Sequence, residues 1–314
     1  MYFDEVGLSV KHVPVLLDEV LKRLDIQPND IVVDGTLGLG GHTKEMAKLL
    51  DGGKLYAFDL DRRNMQKSRQ NLKKFEGKIA YINDGFDRVD HYAKVMKLDG
   101  LDKILLDLGL SSPHLDNAEN GFSYKLNGPL DMRFNQTESV TAAMILNNVS
   151  HEKLTELFRN YGELPGAAKL ATIIVEEREK APFKYTLDFV ERIDDYLPQK
   201  HRAKRLACIF QALRISVNDE LNRLYKGLRK MFELMNPGAR MAVISYHSLE
   251  DRIVKQYFQS LLKPEPKNEA ESLRSIHGEP LIKLVNRKLI VPSEKEIEEN
   301  PRARSARMRV IEKL

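Results

Sequence analysis

Asp34-Gly35-Thr36-Leu37-Gly38-Leu39-Gly40-Gly41-His42 closes the apolar run Asp30–Asp34 and leads into helical periodicity from Thr43 to Leu50. A buried strand, a glycine-rich turn and a helix form the nucleotide-binding start of a doubly wound sheet, whose ligand lies outside the carboxyl ends of the strands. A phosphate-binding loop would need GxxxxGK[ST]. Gly35 and Gly40 have that spacing, but Gly41 and His42 stand where the lysine and hydroxyl belong. A dinucleotide fingerprint would need GxGxxG. Gly38 and Gly40 fit, but Thr43 fills the third position, where close helix packing demands glycine.

The remaining ligand class is S-adenosylmethionine, which carries an ammonium and a carboxylate in place of a pyrophosphate. A glycine-rich turn lets the backbone approach that end, and an acid closing the second strand can hold both ribose hydroxyls. Asp59, at the end of Lys54–Asp59 (KLYAFD) and 25 residues after Asp34, is in the expected place, with Asp61 as its competitor. A plain strand-to-helix turn does not account for four glycines flanked by two strand-terminal acids.

Working outward, Val15–Leu24 reads as a helix, with apolar residues at 15, 16, 20, 21 and 24. Strands are expected at Lys54–Asp59, Lys78–Asn83 and Leu101–Leu108, with a helix ending at Leu72. Continuous apolar strands alternating with helices predict a parallel sheet covered on both faces. Ala118–Met132 is a polar, ordered loop, after which Ser150–Tyr161, Ala167–Lys180, Thr186–Leu197 and Ala203–Met235 all read as helical, with a last helix, Leu221–Met235, assignable to the sheet domain. Asn236-Pro237-Gly238 should end that block. Arg240–Tyr246 is again strand-like, Ser248–Leu262 helical, and Leu281–Val291 and Ser305–Glu312 strand-like. Lys263–Pro280 is a charged connection read as mobile. The expected organisation is a sheet domain, residues 1–117 and 220–314, interrupted by a helical insertion at 118–219 that recognises substrate.

The fourth strand places Asp107 at its carboxyl end, followed by Gly109-Leu110-Ser111-Ser112-Pro113-His114. An acid and a small, proline-containing turn suit methylation of an exocyclic base amine, whose lone pair is delocalised into the ring. Acceptors aimed at its N–H groups favour the pyramidal form that attacks a sulfonium methyl. Asp107 with Ser111 and Ser112 is therefore the leading catalytic set, and Asp131, Arg133 and His247 are further candidates. His247 follows a strand end, in a segment where Ser248 and Asp251 read as a helix cap and capping box. His247, Glu250 and Asp251 lack any metal-ligand spacing, so no metal is expected. Cys208, the single cysteine, excludes an internal disulfide. It lies in apolar Leu206–Phe210 and reads as a buried thiol, which points away from ring-carbon methylation and toward nitrogen or oxygen.

The 314 residues, 42% hydrophobic and 31% charged, suit a folded chain, and no run reaches the length of a membrane span. Met1–Asp18 has no apolar signal core, so the expected location is the cytoplasm. Net charge is only +4, but basic residues gather at Lys200, His201, Arg202, Lys204 and Arg205 and again at Arg302, Arg304, Arg307 and Arg309. Each run alone is an ordinary solvated face; two together are compatible with a polyanionic partner.

DGTLGLGGHT, AFDLD, LLDLGLSSPHLD, NGFSYKLNGPLDMRF, FQALRISVNDEL, ISYHSLEDRIVK and NPRARSARMRV occur in order from residue 34 to residue 310. Together they resemble the bacterial 16S rRNA (cytosine-N4)-methyltransferase family, also called RsmH or MraW. The resemblance implies a class I S-adenosylmethionine-dependent methyltransferase of Rossmann-like α/β fold. It also implies N4-methylation of a cytidine in the decoding region, with the small ribosomal subunit as substrate, and it leaves a homodimer open. By motif it carries cofactor contacts to Gly40, Gly41, His42, Asp59, Phe86, Asp107 and His114, with glutamine common among relatives at the last position. Phe86 would cover the adenine. Met1–Lys11 lies outside the motifs and reads as an extension. Two other readings are a methyltransferase for another amine, on DNA or protein, and a non-catalytic ribosome-assembly factor.

Overall fold

The computed structural model describes residues 14–265 and 278–314. The Met1–Lys11 extension and most of the Lys263–Pro280 connection lie outside the described residues. The chain divides into two compact units, residues 1–109 with 223–314, and residues 110–222. The boundaries thus fall at 109/110 and 222/223, where the sequence suggested 117/118 and 219/220.

The first unit is a seven-stranded sheet in the order β3-β2-β1-β4-β5-β7-β6. Its strands are β1 (Ile31–Asp34), β2 (Lys54–Phe58), β3 (Ile79–Ile82), β4 (Leu101–Asp107), β5 (Met235–Ser245), β6 (Ile282–Leu284) and β7 (Arg307–Lys313). The first five run parallel, while β7 runs antiparallel to both β5 and β6. The order is that of a class I methyltransferase sheet. Side chains on a strand alternate between faces, and this splits each apolar run into two cores. Val32 and Leu105 join α1 (Leu17–Leu24) and α2 (Gly41–Leu49) on one face. Val33, Ile104 and Leu106 join α11 (Glu220–Leu234) and α12 (Ser248–Leu262) on the other. Strand order reverses at β1, which has β2 on one side and β4 on the other, so the ligand crevice of such a sheet opens where Asp34 and Asp107 end their strands.

The second unit has its own core, built around Leu154, Phe158, Leu170, Phe189, Ile209 and Leu213. They come from α7 (His151–Gly162), α8 (Ala167–Lys180), α9 (Thr186–Arg192) and α10 (Arg202–Asn218).

The helical block Ala203–Met235 divides at Asp219, which adopts a left-handed backbone (φ 51°) and caps α10. Its last helix, α11, stands close to the expected Leu221–Met235, and most of it belongs to the first unit. One expectation is corrected. Asn236-Pro237-Gly238 does not stand as a turn between elements, but falls inside β5, where the pairing with β4 shifts register between Leu101 and Lys103. Proline is tolerated there because the irregular stretch does not need its missing donor. No helix among the described residues is long and apolar enough to cross a membrane.

Candidate active site

The loop after β1 is closed by its own residues. Asp34 is buried, and its carboxylate accepts from the Thr36 backbone N–H at 3.1 Å and the Thr43 hydroxyl at 2.5 Å. Burial pushes its pKa up despite these donors. Thr43, the residue that spoils the dinucleotide fingerprint, is thus the partner of the strand-terminal acid. Leu37 N–H donates to the Phe58 carbonyl and Gly40 N–H to the Leu37 carbonyl, folding the loop back on β2. Gly40 caps α2 with φ 81°, and a Cβ there would lie 2.7 Å from Leu72 Cδ1. At Gly41 a Cβ would lie 2.5 Å from Pro14 Cγ. Both glycines are therefore required by the protein's own packing as well as by any approach of ligand to backbone.

Asp59 follows β2. Its carboxylate accepts from Gly38 N–H at 2.8 Å and from Asp61 N–H at 2.7 Å. Burial pushes its pKa up to about 7, with Asp61 and Asp34 adding to the rise and the two N–H groups opposing it. The competitor Asp61 caps α3 (Arg62–Asn71) and is held by the Arg63 guanidinium at 2.9 and 3.0 Å. Phe86 begins a short 3-10 turn past β3, and its ring lies against the bare backbone of Gly227 on α11, where a Cβ would come within 2.5 Å of Cδ2.

Asp107 ends β4 in a web that spans the sheet. Its backbone N–H donates to the Thr36 hydroxyl at 2.6 Å. Carboxylate Oδ1 accepts from the Tyr246 hydroxyl at 2.8 Å, and Oδ2 lies 3.6 Å from His42 Nε2. His42 is buried in the first turn of α2, and neither ring nitrogen has a hydrogen-bond partner. Tyr246 follows β5, and its backbone N–H donates to Glu250 Oε2 at 2.8 Å. His247, not Ser248, is the N-cap of α12, and its capping box is closed by Glu250. The cap therefore sits one residue earlier than the sequence suggested. This leaves Asp251 to the Arg309 guanidinium, at 2.7 and 3.0 Å, joining α12 to β7.

In the second unit Ser111 is the N-cap of α5 (Ser112–Asp116), and its hydroxyl lies 3.1 Å from His114 Nδ1. His114 is buried between Phe122 and Phe134, with ring centroids 5.1 and 5.0 Å away. Ser112 opens the helix. Asp131 and Arg133 pair bidentately at 2.8 and 2.7 Å, and the remaining guanidinium nitrogen donates to the carbonyls of Gln136 and Glu138. Asn218 holds Met132 between them through its carbonyl, at 2.8 Å, while Met132 takes a left-handed φ of 62°. Cys208 is half-buried and its thiol pKa is raised by burial, as an unreactive thiol requires.

His42 and Asp107 are thus brought together in the first unit, as are Ser111 with His114 and Asp131 with Arg133 in the second. Thr36 and Tyr246 were not singled out from sequence. Tyr246 stands inside the SYHSLEDR run, but an aromatic directly after a strand looks like ordinary core. Among the described residues no three His, Cys, Asp or Glu side chains are grouped to hold a metal ion.

A family model described as the MraW methylase family matches residues 9–314. A protein of Halothermothrix orenii named ribosomal RNA small subunit methyltransferase H is 40% identical over 318 residues, covering 97% of this chain and 99% of that one. One of the same name from Brevibacillus brevis is 40% identical over 314 residues, covering 98% and 99%. A third, from Dictyoglomus thermophilum, is 41% identical over 304 residues, covering 96% of each. On a match that runs through the whole described structure and relatives aligned nearly end to end, the chain belongs to the MraW methylase family.

Proposed function

We propose that this methylase uses S-adenosylmethionine to methylate the exocyclic N4 of a cytidine in the decoding region of 16S rRNA, on the small ribosomal subunit. The observation that carries the reading is the Asp107 carboxylate at the end of β4. Its backbone is fixed by Thr36, one oxygen by Tyr246, and the other oxygen faces His42. The names of the relatives support an rRNA substrate. The packing of Cys208 against the second unit's apolar core supports a nitrogen or oxygen acceptor over a ring carbon, whose methylation needs a thiolate.

The residues present fit the donor. A buried imidazole without a partner in the protein calls for one in a ligand, and His42 beside the N-terminus of α2 suits the methionine carboxylate. Asp59 would accept the ribose hydroxyls with the lone pairs its two backbone donors leave open. Phe86, with Gly40 and Gly41, would hold the remaining faces. When bound, S-adenosylmethionine supplies a methyl group carried on a sulfonium.

Asp107 then accepts one N–H of the target amine, which returns lone-pair density to nitrogen. It takes up that proton as the new C–N bond forms. A fixed acceptor needs no reorganisation at that moment, and removing such a group costs about 10²–10³ in turnover. The second unit is assigned to rRNA recognition, with Lys200, His201 and Lys204 exposed at the start of α10 and Asp131–Arg133 as a rigid pair.

The test is labelled S-adenosylmethionine offered to small subunits lacking the modification, to naked rRNA and to DNA, followed by mass mapping. Label on N4 of one cytidine of the subunit is expected. Unlabelled subunits alongside a working control enzyme would overturn the proposal.

A further inference from the structure

We propose that Tyr246 is a positioning residue for methyl transfer: its hydroxyl holds the Asp107 carboxylate in the one orientation that leaves Oδ2 to the target amine. This rests on Asp107 being the group that orients the amine.

The geometry is built from three sides. In the parallel pair β4–β5, Asp107 is in register with Ile244, so the residue two positions later can reach back across the strand end. Tyr246 does so, donating to Oδ1 at 2.8 Å. The ring has its place because Gly109 follows β4. Gly109 takes φ 118°, which L residues avoid, and a Cβ there would lie 3.1 Å from Tyr246 Cδ2. From behind, the Tyr246 backbone N–H is held by Glu250 Oε2, a carboxylate that also accepts from His247 N–H. The backbone under the phenol is thus tied to the first turn of α12.

The groups facing the phenol explain why it is a donor only. Burial, then the charge of Asp107, push its pKa far above the ordinary range, with Glu250 and Glu296 adding to the effect. The hydroxyl therefore keeps its proton wherever the protein is folded. A carboxylate held by one donor on Oδ1 cannot rotate freely, and the opposite oxygen lies 3.6 Å from His42 Nε2. Tyr246 touches neither donor nor target in this scheme.

The test compares Tyr246→Phe, Asp107→Asn and the double variant on small subunits lacking the modification. We expect Tyr246→Phe to lower kcat at least about tenfold, with KM for both substrates and calorimetric affinity for S-adenosylhomocysteine within about threefold of native. In the Asp107→Asn background the same change should alter kcat by less than about twofold, because both act through one carboxylate. In the free protein, the Asp107 carboxyl 13C resonance should move in Tyr246→Phe and stay in place in Tyr257→Phe, a change further along α12 where the ring packs against Tyr225 and Phe232. A native kcat in Tyr246→Phe, or losses that multiply in the double variant, would overturn the inference. Native turnover in Asp107→Asn would instead sink the role of Asp107 itself. Should Tyr246→Phe not fold, fluorotyrosines at position 246 keep the shape and grade the donor strength. Turnover that does not follow the grading overturns the positioning role.

Discussion

The Thr36 hydroxyl accepts the Asp107 backbone N–H at 2.6 Å, so the glycine-rich loop and the end of β4 share a hydrogen bond across 71 residues of sequence. Thr36→Val keeps the shape and removes the acceptor. A donor left without its partner in a half-buried place costs about 1–3 kcal/mol. Thermal unfolding should register that loss, and turnover should fall because the Asp107 backbone is released. An unchanged melting temperature together with native turnover would show that the bond contributes to neither.

Asp59 gives a pH signature. Its carboxyl pKa of about 7 in the folded protein lies above the roughly 3.9 of an unfolded aspartate. Between these values the native state holds the extra proton, so this group makes stability fall as pH rises through the window. Asp59→Asn should remove that dependence. Its advantage over the native chain should grow from about pH 4 to 7 and level off above. Parallel curves across that range would contradict the raised value. Asp59→Ala should also weaken S-adenosylhomocysteine binding by about tenfold or more through loss of a charge-assisted pair of hydrogen bonds, read by calorimetry.

Gly40→Ala should be costly for reasons internal to the protein. The left-handed φ of 81° and the 2.7 Å approach to Leu72 both resist a methyl group. Destabilisation of about 1–3 kcal/mol is expected by chemical denaturation. Measured in a Leu72→Ala background, the same substitution should cost less than in the native chain, since the atom in the way is gone.

Asp251 behaves oppositely to Asp59. Burial pushes its carboxyl up, but Arg309 and then Arg307 outweigh it, and the net pKa is lowered. Its contribution to stability is therefore present above the unfolded aspartate pKa and is lost as pH falls through the folded value. Arg309→Met should cost about 1–3 kcal/mol at neutral pH, because it removes two charge-assisted hydrogen bonds and leaves Asp251 to the Arg307 guanidinium at 3.6 Å. The gap from native should narrow in acid, as measured by melting temperature from pH 7 down to about pH 2.

The sheet was legible because its chemistry is repetitive. Runs such as Ile104-Leu105-Leu106 are apolar at every position, which only a strand buried on both faces tolerates. Ser248–Leu262 and Ala167–Lys180 were read to the residue because periodicity and termini agree there. The reading failed where a single backbone choice decides. Asp219 turns left-handed between Asn218 and Glu220, and such a polar stretch also reads as the exposed face of a continuing helix. Proline and glycine at 237 and 238 read as a stop because their ordinary cost in a strand is high, yet β5 absorbs them in a register shift. At the candidate site, Asp34, Asp59 and Asp107 stand out as acids at strand ends. Their partners do not, because Thr43 reaches Asp34 only once the loop has folded, and Thr36 and Tyr246 meet Asp107 only through the pairing of β4 with β1 and β5.

The placement of β7 has a consequence for how the protein is made. It follows β6 in the chain yet lies between β5 and β6, so β6 has no strand to pair with until residues 307–313 have left the ribosome. The helical second unit, with its own core, is translated well before then and can fold first. The sheet carrying Asp59 and Asp107 is then completed only after that unit has been made. A chain stalled before residue 307 would present β5 as a bare edge, an aggregation hazard that pairing with β7 removes.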